Sequence, residues 1–81
     1  MSDTERWKRE AVIYGWEIIR EAGGNPDHES CVTSDGVYKY LHIYDKGKGD
    51  TILSIQAPTY YDLMVAARGA VNVHHFIARG F

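Results

Sequence analysis

Between Glu29 and Ala57 the chain alternates with a period of two through three short runs, and this constrains the fold more than any other feature. In VYKYLHIYD, Val37–Asp45, one side of the alternation carries Tyr38, Tyr40, His42 and Tyr44, and the other carries Leu41 and Ile43. A strand sends alternate residues to opposite faces, so only one of these sides can enter a core. The runs 29–34, 37–45 and 50–57 read as strands. Asp35-Gly36 reads as a two-residue hairpin turn with positive φ at both central residues.

The second turn decides which face is buried, because a one-residue slip exchanges the two sides of a strand. A two-residue loop at Gly47-Lys48 would set Asp45 opposite Asp50, and like charges opposed across strands destabilise. A three-residue loop, Gly47-Lys48-Gly49, with Gly49 closing a bulge in the left-handed region, sets Lys46 against Asp50 instead. Val32, Leu41, Ile43, Leu53, Ile55 and Ala57 then share an inner face. Cys31, Thr33, Tyr38, Tyr40, His42, Tyr44, Ile52, Ser54 and Gln56 make the outer one.

Helical stripes flank the strands. From about Thr4 to Ala22, the residues Trp7, Ala11, Tyr14, Gly15, Ile18 and Ala22, widened by Val12 and Ile19, recur at helical spacing. Ser2, Asp3 and Thr4 offer N-cap oxygens, and Gly23-Gly24 followed by Asn25-Pro26 ends the helix. Gly15 within the stripe predicts close approach of another backbone, and the alanines of the last helix make that helix a candidate. Ile13 and Trp16 fall outside the stripe. A second helix runs from about Tyr60 to Ala78, capped by Thr59 with Asp62 three residues on. Its stripe is Tyr60, Leu63, Met64, Ala66, Ala67, Ala70, Val71, His74, Ile77 and Ala78, with Val65, His75 and Phe76 pointing outward. The expectation is one α+β domain over residues 1–81. It has two layers in the order α-β-β-β-α, a three-stranded antiparallel sheet with both helices on one face.

That order resembles double-stranded-RNA-binding domains in topology. Those domains grip phosphates with lysines at the start of the last helix, where this chain has Thr59-Tyr60-Tyr61-Asp62, so an RNA grip is not implied. Composition agrees. The 81 residues carry a net charge of −2, with no basic footprint for nucleic acid. After Asp62 there are no acids, only Arg68 and Arg79 with His74 and His75 between them. The single cysteine, Cys31, rules out an internal disulfide and fits a reducing compartment. The charged start, MSDTERWKRE, is unlike a secretory signal, and no apolar run reaches membrane-spanning length. A cytoplasmic protein without membrane contact is expected.

Three function classes follow. The leading one is a non-catalytic protein-binding domain, either a homodimer or a docking or inhibitor module. Its site is the aromatic outer face: Tyr38, Tyr40, His42, Tyr44, Ile52, Ser54 and Gln56. Tyrosine is enriched at the energetic centres of interfaces, and an amphipathic patch of this kind marks one. His42 would make such a contact pH-sensitive. Val65, His75 and Phe76 form a second, smaller surface. In size and acidity the chain is similar to small inhibitors encoded by phages and mobile elements, such as anti-CRISPR proteins. The second class is single-stranded or structured nucleic-acid binding by base stacking on the sheet, for which Lys39, Lys46 and Lys48 are the only nearby bases. The third is a small enzyme or metal site in which Glu29 stands opposite His42 and Cys31 diagonal to it. An open sheet supplies neither cleft nor oxyanion hole, so no catalytic residue, metal or cofactor is assigned. GKGDT lacks the earlier glycine, the Ser/Thr after Lys and the strand-to-helix junction of a phosphate loop.

Overall fold

The structure, a computed structural model, describes residues 3–78, with side chains described for residues 3–73. Its elements are α1 (Asp3–Glu21), β1 (His28–Ser34), β2 (Lys39–Asp45), β3 (Asp50–Ala57) and α2 (Tyr60–Ala78). The strands form one antiparallel sheet in the order β1-β2-β3. Both helices cover the same face, α1 over β1 and α2 over β3. This is the two-layer α+β arrangement expected from the alternation and the flanking stripes.

The helices begin and end where local chemistry dictates. Gly24 N–H donates to Ile19 O at 2.9 Å and Gly23 N–H to Arg20 O at 3.1 Å, which satisfies the last carbonyls of α1. At α2, Asp62 N–H donates to Thr59 Oγ1 at 3.1 Å, and the Thr59 hydroxyl donates to Asp62 Oδ2 at 3.0 Å. Trp7 meets Tyr61 edge to face near the two helix starts, while Ile18 and Ile19 pack with Ala70 and Val71 further along. The helices are therefore parallel. Their inner stripes close on Leu41, Ile43 and Ala57, with Ala11, Leu63, Met64 and Ala67 completing the core. Ala22 and Ala66, expected inside, are exposed at the stripe margins. His74, Ile77 and Ala78 lie outside the described side chains.

Gly15 is a point of close approach, but to β1 rather than to another backbone or to α2. A Cβ there would stand 2.0 Å from Ser30 Oγ and 3.1 Å from Leu41 Cδ1. Ser30 is buried, and its hydroxyl donates to Val12 O at 3.0 Å, fastening α1 to the sheet.

Both turns depart from expectation while the faces stay as read. In the first hairpin only Gly36 has positive φ (90°), and Asp35 N–H donates to Tyr38 O, so Gly36-Val37 is the tip. Asp35 Oδ1 accepts from the Val37 and Tyr38 amides at 2.9 and 2.7 Å, building the turn without a left-handed aspartate. The register moves by two residues, which preserves the faces. Val32 lies opposite Leu41, Cys31 opposite His42, and Glu29 opposite Tyr44 rather than His42.

The second loop has four residues, Lys46 to Gly49, and Asp45 does oppose Asp50. Asp45 Oδ1 accepts from the Gly47 and Lys48 amides at 2.9 and 3.0 Å, and Asp45 Oδ2 lies 3.8 Å from His28 Nε2. These partners offset the like-charge opposition. Gly49 takes the expected positive φ (76°), and its N–H donates to Asp45 O at 2.7 Å. The extra residue of the hairpin sits in β3. Tyr44 pairs with Thr51 and Ile43 with Leu53, so Ile52 is bulged out of the ladder.

Candidate outer-sheet site

The bulge removes one expected member of the aromatic face. Ile52 turns away from the tyrosines and lines an apolar cleft of about 150 Å³ with Ile18, Ile19, Ala22, His28, Ile43 and Leu53. A bulge re-aims a side chain in this way, and strict alternation cannot anticipate it.

The remaining outer side chains are held in three hydrogen-bonded rows. At the turn end the Tyr40 hydroxyl donates to Asp35 Oδ2 at 2.8 Å. In the middle His42 bridges the sheet, with Thr33 Oγ1 3.1 Å from Nε2 and Ser54 Oγ 3.1 Å from Nδ1. At the far end the Tyr44 hydroxyl donates to Glu29 Oε2 at 2.7 Å. The Tyr40 and His42 rings stack, with centroids 5.6 Å apart and planes 12° from parallel. Tyr38, at the turn, and Ser54 and Gln56, on β3, are exposed, whereas Tyr40, His42 and Tyr44 are half-buried. The sequence places these residues on one face; their tethering to Asp35 and Glu29 follows from the two-residue register change.

The turn carboxylate and both tethered phenols are shifted. Bonds from the Tyr38 and Val37 amides, then from the Tyr40 hydroxyl, hold Asp35 at about 2, below the usual 3.8. The bond to Asp35 pushes the Tyr40 phenol up and the bond to Glu29 pushes the Tyr44 phenol up, because each proton is shared with a carboxylate. Burial, and then the Glu29 charge, push the Cys31 thiol up. A raised thiol is the reverse of an activated nucleophile. His42 has both nitrogens on hydroxyls, which can serve either protonation state. Glu29 stands opposite Tyr44 rather than His42, and both His42 nitrogens meet hydroxyls. Of the arrangement expected for an enzyme or metal site, only the Cys31–His42 neighbourhood is therefore present. Among the described residues, no group of three His, Cys, Asp or Glu side chains is placed to hold a metal ion.

A second aromatic cluster lies at the paired helix starts. The Lys8 and Lys39 ammonium groups sit 5.9 and 5.3 Å from the centre of the Tyr60 ring, and Arg6 lies 4.6 Å from that of Trp7. A lysine at an inward strand position, Lys39, was the available signal for it. Val65 is exposed on α2 as expected, as is Tyr61 one turn before it. The side chains of His75 and Phe76 fall outside the described residues. Among the described residues no helix is long and apolar enough to cross a membrane. No protein-family model, curated protein or solved structure matches the chain.

Proposed function

We propose that the chain is a non-catalytic protein-binding domain that docks a partner on the outer face of its sheet, through Tyr38, Tyr40, His42, Tyr44, Ser54 and Gln56. The observation that carries this reading is the tethering of the three central rings. A tyrosine already fixed by a hydrogen bond has little rotamer freedom left to lose on binding, which costs about 0.5–1.5 kcal/mol for each side chain immobilised. Rigid amphipathic rings set among small hydroxyl and amide groups are the composition of an effective binding surface. Among the described residues no other element covers this sheet face, since both helices lie on the opposite side.

Base stacking is disfavoured by the carboxylates of Glu29 and Asp35, which would repel phosphates. Affinity isolation from the native host tests the reading. Tyr40→Ala, checked for retained fold, should lose the co-isolated partner, while Val65→Ser on the helical side should keep it. Loss with Val65→Ser and retention with Tyr40→Ala would overturn it.

A further inference from the structure

We propose that the outer face recognises a cationic, arginine-bearing segment of its partner protein. The proposal rests on the docking reading above and adds the chemistry of the occupant. Two carboxylates flank His42 on this face, Glu29 at one end and Asp35 at the other, each holding a tyrosine hydroxyl. No lysine or arginine occupies an outward strand position. Lys39 belongs to the inner side, with its ammonium over Tyr60. Lys46 and Lys48 lie in the loop beyond the strands, where Asp27, Asp45 and Asp50 outnumber them.

The carboxylates are partnered in a way that suits a guanidinium. Tyr44 takes Glu29 Oε2, and an ionised carboxylate accepts about four hydrogen bonds, so most of its capacity is open. Asp35, with Oδ1 on two amides and Oδ2 on Tyr40, keeps about one acceptor site. Held at about 2, it supplies a permanent charge at its end of the face while Glu29 supplies the open fork. A phenol that donates to a carboxylate becomes richer in π-electron density, and the Tyr40 ring is held near-parallel to His42. A guanidinium stacks on such a surface while forking to an adjacent carboxylate; an ammonium cannot do both. Tyr40 and Tyr44 are four residues apart, roughly 13 Å along a strand. An extended basic segment can therefore meet both acidic ends at once. A symmetric contact with a second copy would oppose acidic face to acidic face.

The test is an NMR titration of the isotope-labelled full chain with nona-arginine, with nona-lysine and oligothymidine in parallel. Saturable shifts at 29–33, 40–44 and 54 are expected. Nona-arginine should bind at least about threefold more tightly than nona-lysine. Glu29→Gln should weaken it about fivefold or more, with denaturation unchanged, and Asp35→Asn should act in the same direction. Shifts confined to the 45–50 loop or the helices, equal affinity for both peptides with Glu29→Gln neutral, or saturable oligothymidine binding on the face would each overturn the proposal. If nona-arginine leaves the face unperturbed while Tyr40→Ala still loses the partner, docking stands and the cationic chemistry is wrong.

Discussion

Gly15 and Ser30 form a close contact between helix and sheet. A methyl at Gly15 would overlap Ser30 Oγ, and Ser30 can move only by giving up its bond to Val12 O. Gly15→Ala should destabilise the fold by roughly 1–3 kcal/mol, the usual range for overpacking. Ser30→Ala should cost about 1 kcal/mol for the lost hydrogen bond. Adding Ser30→Gly to Gly15→Ala should recover part of the loss. Urea denaturation measures all three, and a neutral Gly15→Ala would contradict the contact. At Asp35 the sign runs with pH. Its carboxyl lies at about 2 when folded against 3.8 ordinarily, so the unfolded chain takes up the proton first as pH falls. The stabilisation from this charge is complete well above 3.8 and is lost as pH drops towards 2. The stability gap between the native chain and Asp35→Asn should narrow over that window, as read by thermal denaturation. A gap independent of pH would contradict the account.

At the scale of elements, α2 carries a glycine that packs against none of the described side chains. Gly69 is exposed within the helix, and a Cβ there meets no atom of the described residues within 4 Å. Gly69→Ala should raise stability by roughly 0.5–1 kcal/mol, with a corresponding rise in Tm; a fall would show an unrecognised contact. Element type and extent were legible in the sequence because periodicity and caps are local. Thr59, Asp62 and the Gly23-Gly24 pair mark helix limits by chemistry that acts within a few residues. Both hairpin registers were harder to read. Asp35 and Asp45 use their side chains as turn acceptors, which changes loop length without changing composition. The faces survived because the first register moved by two residues, and because the bulge at Ile52 absorbed the extra residue of the second. Ile52 itself was misplaced for the same reason.

Across the whole molecule, the two faces of the sheet divide the work. The inner face and both helices bury the aliphatic side chains, and the outer face carries tethered rings between two carboxylates. Membership of the outer face, Ile52 apart, could be read from alternation, but its tethering could not, since that depends on pairings such as Glu29 with Tyr44. The most direct test of the outer face as a docking surface is site-specific photo-crosslinking in the native host. A photoreactive phenylalanine replaces Gln56 on the sheet face in one protein and Val65 on the helical face in another. The account predicts a discrete adduct to a protein from position 56, absent from position 65 and competed away by the unlabelled chain but not by its Tyr40→Ala variant. An adduct from position 65 alone, or one from position 56 to nucleic acid only, would contradict it.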